Sequence, residues 1–217
     1  RGCIPTKALL HSAEIADGAR DGAHFGVKST FNGIDMAGVN SYKDGVINKL
    51  YKGLSGLVKS RGVTFIEGHG KLVSKDTVEV NGTRYTGKNV ILATGSYAKT
   101  LPGLDIDGEK IITSDHGTKL NYVPKSVIVL GGGVIGCEFA SVWKSFGSEV
   151  TIIEGLPHLI SLEDESSSKQ LERAFRKRGI NFELGVRFQS AVKTKKGVTV
   201  TLEDGKTFDA EILMVSV

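Results

Sequence analysis

The chain has 217 residues, which is enough for one large or two ordinary domains, and its composition is that of a soluble globular protein. It has 28 Lys and Arg against 24 Asp and Glu, interspersed along the chain, which argues against a basic surface for nucleic acid. No apolar run approaches the roughly 18 residues of a membrane span, and no secretory leader is recognisable. We therefore expect a cytoplasmic protein with neither nucleic-acid nor membrane partners.

Cysteine, glycine and the chain ends give further constraints. Cys3 and Cys137 lie far apart, unlike the disulfide framework of a small secreted domain. Glycine is abundant (28) and proline scarce (4), which favours tight turns that approach phosphates and hence nucleotide ligands. The chain begins at Arg1, and residues 210–217 have the pattern of a buried strand that stops midway, so we expect a fragment cut at both ends.

The first half of the chain predicts two helices and several short strands. Pro5 and the apolar spacing after it predict a helix over 4–16, with Cys3 just before its first turn. Apolar residues three and four apart predict a second helix over about 40–60. A meander of short strands is predicted over 63–66, 71–73, 77–80 and 84–86.

Residues 89–95 predict one fully buried strand that ends at a glycine turn. An irregular connection follows, with a domain boundary near 121–124. Beyond it the predicted order is strand 126–130, helix 134–146, strand 149–154, helix 163–178, strand 180–184, a hairpin meander over 188–208 and a last strand over 212–217. This alternation predicts an α/β fold with a parallel, Rossmann-like sheet.

The strongest motif is the glycine turn Gly131-Gly132-Gly133-Val134-Ile135-Gly136. It follows a buried strand and opens a helix within a βαβ unit, which is the context that makes a GxGxxG string specific. In such a turn Gly131 allows the tight bend, Gly133 leaves room for the pyrophosphate, and Gly136 lets the helix approach the sheet. The helix amino end then favours the phosphate anion.

The second strand of this unit ends in Glu154, at the distance where a carboxylate accepts hydrogen bonds from the adenosine ribose. A carboxylate would repel the extra phosphate of NADP, and no arginine follows within the next residues. The motif therefore predicts NAD as the dinucleotide. The alternative is that Glu154 is a solvated strand end.

Cys3 lies just before a helix start, with Lys7 one turn further on. The positive end of a helix favours a thiolate that can attack or release disulfides. An isolated cysteine of this kind is more often an inert packed thiol.

Three segments together resemble the pyridine nucleotide-disulfide oxidoreductases: Gly2 to Lys7, Ala93-Thr94-Gly95-Ser96, and Gly131 to Glu138 with Glu154. The resemblance covers essentially the whole chain, and within the family it is strongest to the bacterial dihydrolipoamide dehydrogenases. It implies that residues 1–124 are the central part of an FAD-binding domain and that 125–217 are a nearly complete NAD-binding domain.

The resemblance also implies roles for single residues. Cys3 matches the flavin-facing cysteine of the redox disulfide, whose partner would precede Arg1, Lys7 matches the lysine beside the flavin, and Glu138 matches the acid that pairs with it. The matched FAD contacts are Thr94, Gly95, Ser96 and, in the turn toward the adenine end, Gly70. Cys137 matches no redox position, and no metal site is predicted.

The leading expectation is a flavoprotein that oxidises dihydrolipoyl groups through a disulfide and FAD and reduces NAD. Its implied partner is the lipoyl domain of a 2-oxoacid dehydrogenase complex, and its implied state is a homodimer. The 217-residue piece itself is expected to be inactive. The alternatives are an enzyme resembling glutathione or mercuric-ion reductase, which generally use NADP, or a nucleotide-binding fragment without catalysis.

Overall fold

The computed structural model describes residues 2–217, which divide into two compact units. One unit comprises residues up to 47 together with 98–217, and the other comprises 48–97. The helices are α1 (Cys3–Asp21), a short 3₁₀ helix (Gly22–Phe25), α2 (Met36–Ser60), α3 (Ser114–Gly117), α4 (Val134–Phe146) and α5 (Glu165–Lys177). The strands are β1 (Gly70–Ser74), β2 (Thr77–Val80), β3 (Thr83–Thr86), β4 (Ile111–Thr113), β5 (Ser126–Leu130), β6 (Glu149–Glu154), β7 (Asn181–Leu184), β8 (Phe188–Lys193), β9 (Val198–Leu202), β10 (Thr207–Ala210) and β11 (Ile212–Val215).

The larger unit is built on a five-stranded parallel sheet in the order β4-β11-β5-β6-β7. The central strand β5 has the nearly continuous apolar sequence of a strand buried on both faces. Val127 and Val129 belong to one core cluster, and Ile128 and Leu130 belong to the other. This alternation separates the two layers that cover the sheet.

Helices cover one face of the parallel sheet. The first core cluster joins residues of this face to Leu9 of α1, Phe139 and Trp143 of α4, and Phe175 of α5. Trp143 and Phe139 are completely buried, so α4 lies at the centre of this layer. α4 ends at Gly147, whose φ of +111° places it in the left-handed region that closes many helices.

A second, antiparallel sheet in the order β10-β9-β8 covers the other face. Val198, Val200 and Leu202 of β9 are buried in the second core cluster, together with Ile128 of β5 and Ile153 of β6. The larger unit thus has three layers: helices, the parallel sheet and the antiparallel sheet. It confirms the predicted α/β, Rossmann-like fold class.

The smaller unit contains the last part of α2 and the antiparallel sheet β1-β2-β3. β2 and β3 are joined through Asn81, which has φ of +51°, and Gly82, which has φ of +79°. This is the left-handed pair expected of a tight hairpin. The predicted meander is therefore confirmed over 71–86, whereas 63–66 form no strand.

Two further predictions about strands are wrong. Residues 89–95 have no regular secondary structure, and Ile91 and Leu92 are 87% and 65% exposed. Among residues 2–217 no strand pairs with this segment, and a strand needs backbone partners to form. Conversely, β4 lies within the connection predicted to be irregular, where it pairs with β11.

The domain boundary near 121–124 stays a prediction, and the sheet that follows it also includes β4 from before that point. Within residues 2–217 no helix combines the length and apolarity needed to cross a membrane.

Candidate functional site

The glycine turn connects β5 to α4 and is closely packed at three of its four glycines. Gly131 has φ of +109°, and a Cβ there would overlap the backbone oxygen of Ser216. A Cβ at Gly136 would overlap the Gly131 carbonyl oxygen, and one at Gly132 would lie 2.8 Å from Leu159 Cδ2. Gly131 and Gly136 therefore require glycine for steric reasons, because the overlaps are with backbone atoms, whereas a Cβ at Gly132 would require the Leu159 side chain to shift.

Gly133 differs, because a Cβ placed on it would meet nothing within 4 Å. The open side of the turn is thus at Gly133, the N-cap of α4, where no side chain caps the helix. The first N–H groups of a helix have no partners within the helix, and they carry its positive dipole end. This combination of open space and free donors suits an anionic group.

A cavity of about 570 Å³ lies against the turn. Its wall includes the ends of β5 and β6, the turn and the start of β8, with Gly131, Gly133, Val134, Glu154 and Phe188 among the lining residues. It therefore lies beyond the carboxyl ends of parallel strands, where ligands of open α/β sheets bind.

Glu154 is fixed at the edge of this cavity by backbone donors. The N–H of Gly132 donates to Oε2 at 2.5 Å, and the N–H of Leu156 donates to Oε1 at 2.7 Å. A carboxylate has about four acceptor sites, so both oxygens keep capacity for further donors. Glu154 can thus accept hydrogen bonds from a diol while it also holds the glycine turn.

Three residues that support this site were missed from the sequence. The Ser216 hydroxyl lies 3.2 Å from the carbonyl oxygens of Leu130 and Gly131, and the Ile160 N–H donates to the Gly132 carbonyl at 2.8 Å. Ile160 has φ of +45°, which is rare for a β-branched residue. Phe188 lines the cavity wall. None belongs to a local motif, because each acts through a segment remote in the sequence.

The predicted redox segment forms the beginning of α1. Cys3 is the first residue of the helix and its thiol is free and exposed. One turn later, Lys7 Nζ donates to Glu138 Oε1 on α4 at 2.5 Å. The hydrogen bond from Glu138 raises the pKa of Lys7 above its usual value, so the ammonium is held charged.

α1 and α4 pack side by side and run in the same direction. Lys7 meets Glu138 near the start of both helices, whereas Asp17 meets Ser145 near the end of both. The start of α1, with its thiol, and the start of α4, with its glycine turn, therefore lie at the same end of the helix pair. The structure brings Cys3, Lys7, Glu138 and the turn into one region.

Cys137 lies on the inner side of α4. Its Sγ is 3.3 Å from the Gly132 carbonyl oxygen, and burial raises the pKa of the thiol to about 12. It is a packed thiol that contacts the turn.

The four residues matched to FAD contacts lie in the smaller unit. Gly70 begins β1, and a Cβ there would lie 3.4 Å from Val78 Cγ1. Thr94, Gly95 and Ser96 lie in an exposed, irregular segment, in which Gly95 has φ of +81° and open space around it. Their role as FAD contacts stays a prediction.

The comparisons with known proteins agree on one family. The profile described as pyridine nucleotide-disulphide oxidoreductase matches residues 1–217. The chain is 39% identical to dihydrolipoyl dehydrogenase of Cupriavidus necator, 38% to the mitochondrial dihydrolipoyl dehydrogenase of Pisum sativum and 38% to leghemoglobin reductase of Vigna unguiculata. These matches cover 99–100% of this chain but only 42–48% of each relative.

The fold is also similar to that in the crystal structure of LpdA from Mycobacterium tuberculosis. The TM-score is 0.86 at 26% identity, over 99% of this chain and 48% of that one. The chain thus spans about half the length of the relatives that it matches.

Proposed function

The chain belongs to the pyridine nucleotide-disulphide oxidoreductase family, and on that premise we propose that it carries the NAD site and part of the redox centre of a dihydrolipoamide dehydrogenase. The observation that carries the proposal is the ion pair between Lys7 on α1 and Glu138 on α4. It joins the helix that begins with the exposed thiol to the helix that begins with the glycine turn. Since the chain spans about half the length of its relatives, the activity is assigned to a longer protein that includes it.

NAD is the ligand proposed for the cavity at the glycine turn. The open space at Gly133 fits a pyrophosphate beside the uncapped start of α4, and Glu154 fits the two hydroxyls of the adenosine ribose. The carboxylate of Glu154 would repel the 2′-phosphate of NADP. These contacts orient the dinucleotide along the carboxyl edge of the sheet.

FAD is the second proposed cofactor. By the family resemblance, Cys3 and Lys7 of the larger unit are proposed to serve its reactive part, and Gly70, Thr94, Gly95 and Ser96 of the smaller unit are proposed as further FAD contacts. The donor set fits such a group, because Lys7 is a charged ammonium next to an exposed thiol at a helix start. The chemistry that FAD and NAD supply when bound is the transfer of two electrons from a sulfur group, through the flavin, to the nicotinamide.

The residues of the chain have distinct tasks in this proposal. Cys3, the exposed first residue of α1, supplies one sulfur of the redox disulfide. Lys7 keeps a positive charge where negative charge develops on reduction, and Glu138 keeps Lys7 protonated and oriented. The substrate proposed is a dihydrolipoyl group on the lipoyl domain of a 2-oxoacid dehydrogenase complex, and the proposed setting is a cytoplasmic homodimer.

The NAD site can be tested on the chain itself by calorimetric titration with NAD and NADP. We expect binding of NAD and much weaker binding of NADP. Gly133→Ala should weaken NAD binding by about tenfold or more, because its new methyl group enters the open space of the turn. The matched control is Gly18→Ala in α1, where a Cβ also meets nothing within 4 Å, and binding should not change. Equal affinity of all three proteins would contradict the proposed site.

The redox role can be tested in a longer protein that contains the chain and binds flavin. Cys3→Ser should abolish reduction of NAD by dihydrolipoamide, because serine cannot form the disulfide. The flavin absorbance of this variant shows that the cofactor is retained. Dihydrolipoamide activity that survives the substitution would reject the role of Cys3.

A further inference from the structure

Arg178, at the end of α5, is bonded to two residues of α4. Its guanidinium donates to Ser141 Oγ at 2.6 Å, to the Ser141 carbonyl oxygen at 3.2 Å and to Ser145 Oγ at 2.7 Å. The planar guanidinium presents its donors in a fixed fork, so several bonds define one position. α5 is thereby tied to the second half of α4.

The same group of side chains reaches α1. The hydroxyl of Ser145, which is buried, donates to Asp17 Oδ2 at 2.6 Å, and Arg178 lies 3.6 Å from the same oxygen. The Ser145 hydroxyl thus accepts a hydrogen bond from the Arg178 guanidinium and donates one to the Asp17 carboxylate. Arg178, Ser145 and Asp17, called here the polar clamp, connect three helices.

The polar clamp and the Lys7–Glu138 pair mark two ends of one helix contact. The clamp lies roughly 15 Å from Lys7 along α1 and roughly 10 Å from Glu138 along α4, at 1.5 Å per residue. The buried residues of α1 between them are Ala8, Leu9, Ala13 and Ala16, and Leu9, the only large one, lies near the Lys7 end. Alanine methyl groups interlock little with a facing helix, so beyond Leu9 the apolar contact fixes the helix register weakly.

The two polar contacts differ in strength. The Lys7 side chain is 58% exposed, and exposed ion pairs are weak because water screens them. In the polar clamp Arg178 and Asp17 are themselves 34% and 40% exposed, but they are joined through the buried hydroxyl of Ser145, and Arg178 makes further hydrogen bonds to Ser141. Its bonds are therefore the better candidates for setting where α1 lies on α4.

We propose that Arg178, Ser145 and Asp17 are positioning residues that hold α1 in the register at which Lys7 meets Glu138. The relevance to catalysis rests on the proposed function, in which this pair serves the redox centre. The inference about register concerns the chain alone.

Zero-length cross-linking with a carbodiimide measures this register directly, because an amide forms only between an amine and a carboxylate in contact. The Lys7–Glu138 cross-link is quantified by mass spectrometry on the full 217-residue chain. Lys169–Glu165 is the internal reference, since its N–O distance of 2.6 Å lies within α5 and needs no contact with α1. The measured quantity is the ratio of the two cross-links.

We expect this ratio to fall severalfold in Arg178→Met, which keeps an unbranched side chain similar to the aliphatic part of arginine but removes the donors, and in Ser145→Ala. The matched control is Lys177→Met, which removes a positive charge from the exposed adjacent residue. An unchanged ratio in both clamp variants would overturn the proposal, as would an equal fall in the control. Loss of the Lys169–Glu165 reference cross-link in Arg178→Met would show that this substitution disrupts α5. The proposal is then tested by Ser145→Ala, which changes no residue of α5.

A change in overall stability alone would not move the ratio in the folded protein, so thermal unfolding is measured alongside it. The cross-link needs no cofactor. If NAD does not bind but the cross-link ratio falls in the clamp variants, only the proposed function is rejected. If NAD binds but the cross-link ratio is unchanged in the clamp variants, only the positioning role is rejected.

Discussion

β4 and residues 89–95 are both apolar, but only β4 is a strand. β4 has three residues, Ile111, Ile112 and Thr113, and all are buried. Residues 89–95 form a longer apolar run, yet Ile91 and Leu92 are exposed and no described strand pairs with them. The two segments differ in whether a neighbouring strand is present, because β4 pairs in parallel with residues Leu213 to Val215 of β11.

A second feature fixes β4 in place. Asp107 Oδ1 accepts hydrogen bonds from the N–H groups of Glu109, Lys110 and Ile111 at 2.8–2.9 Å, and Oδ2 lies 3.1 Å from Lys193 Nζ. The turn before β4 is thereby ordered. Here a strand forms because a neighbouring strand supplies backbone hydrogen bonds and the preceding turn is ordered. Local apolarity alone is not sufficient.

Hydrogen exchange should show the largest contrast between the two segments. Amides of the β4–β11 pair should exchange about a thousandfold or more slowly than those of residues 90–94, because opening the sheet requires much of the unfolding free energy. Exchange is read by NMR or by mass spectrometry of peptides that cover each segment. Similar protection of both segments would contradict the description of 89–95 as an unpaired, irregular segment.

Truncation of one isoleucine in each segment should give the next largest difference. Ile112→Ala should lower the free energy of unfolding by about 2–5 kcal/mol, because Ile112 is completely buried in the core beside the parallel sheet. Ile91→Ala, at a position that is 87% exposed, should change it by less than about 0.5 kcal/mol. Denaturant unfolding measures both, and equal losses would contradict the description of 89–95.

Asp107 should give a smaller, pH-dependent effect. Its burial alone would raise the carboxyl pKa, but the hydrogen bonds from Ile111, Glu109 and Lys193 outweigh burial and lower the pKa to about 2 from an ordinary 3.8. Because the folded-state pKa is the lower one, this stabilisation is present above about pH 4 and is lost as the pH falls toward 2.

Asp107→Ala should therefore lower the free energy of unfolding by about 1–3 kcal/mol at pH 7. It should also reduce the dependence of that free energy on pH between 4 and 2. Unfolding curves at several pH values measure both effects. An unchanged acid dependence in the variant would show that Asp107 does not contribute to it.

Gly95→Ala should have a small effect that comes from its backbone conformation alone. Gly95 has φ of +81°, which costs an alanine about 1 kcal/mol, but its Cβ would meet nothing within 4 Å. In Gly131→Ala, also at positive φ, the Cβ would overlap the Ser216 oxygen, and the loss of stability should be greater. Thermal unfolding of both variants separates the backbone cost from the packing cost.

Much of the fold after residue 125 follows from the sequence. β5, α4 and β6 have the predicted bounds, because buried parallel strands and an amphipathic helix leave strong patterns. The strand predicted over 89–95 has an equally strong apolar pattern, but a pattern does not reveal whether a neighbour is present. β4 is too short for its pattern to be recognised among turn residues.

The site divides in the same way. The glycine turn and Glu154 belong to a local motif, and the meeting of Lys7 with Glu138 was expected from the family resemblance. Ser216, Ile160 and Arg178 act through contacts with segments far away in the sequence, for which no local spacing is a signal. The functional roles of the predicted site residues stay predictions that the proposed experiments test.

The common direction of α1 and α4 has an electrostatic consequence. Each helix start carries the equivalent of roughly half a positive elementary charge. With both starts at one end of the pair, a polyanion that spans them gains attraction from both, and counterions in solution compete with that attraction. A ligand bridging the two starts should therefore lose affinity as ionic strength rises, more steeply than one that contacts the glycine turn alone.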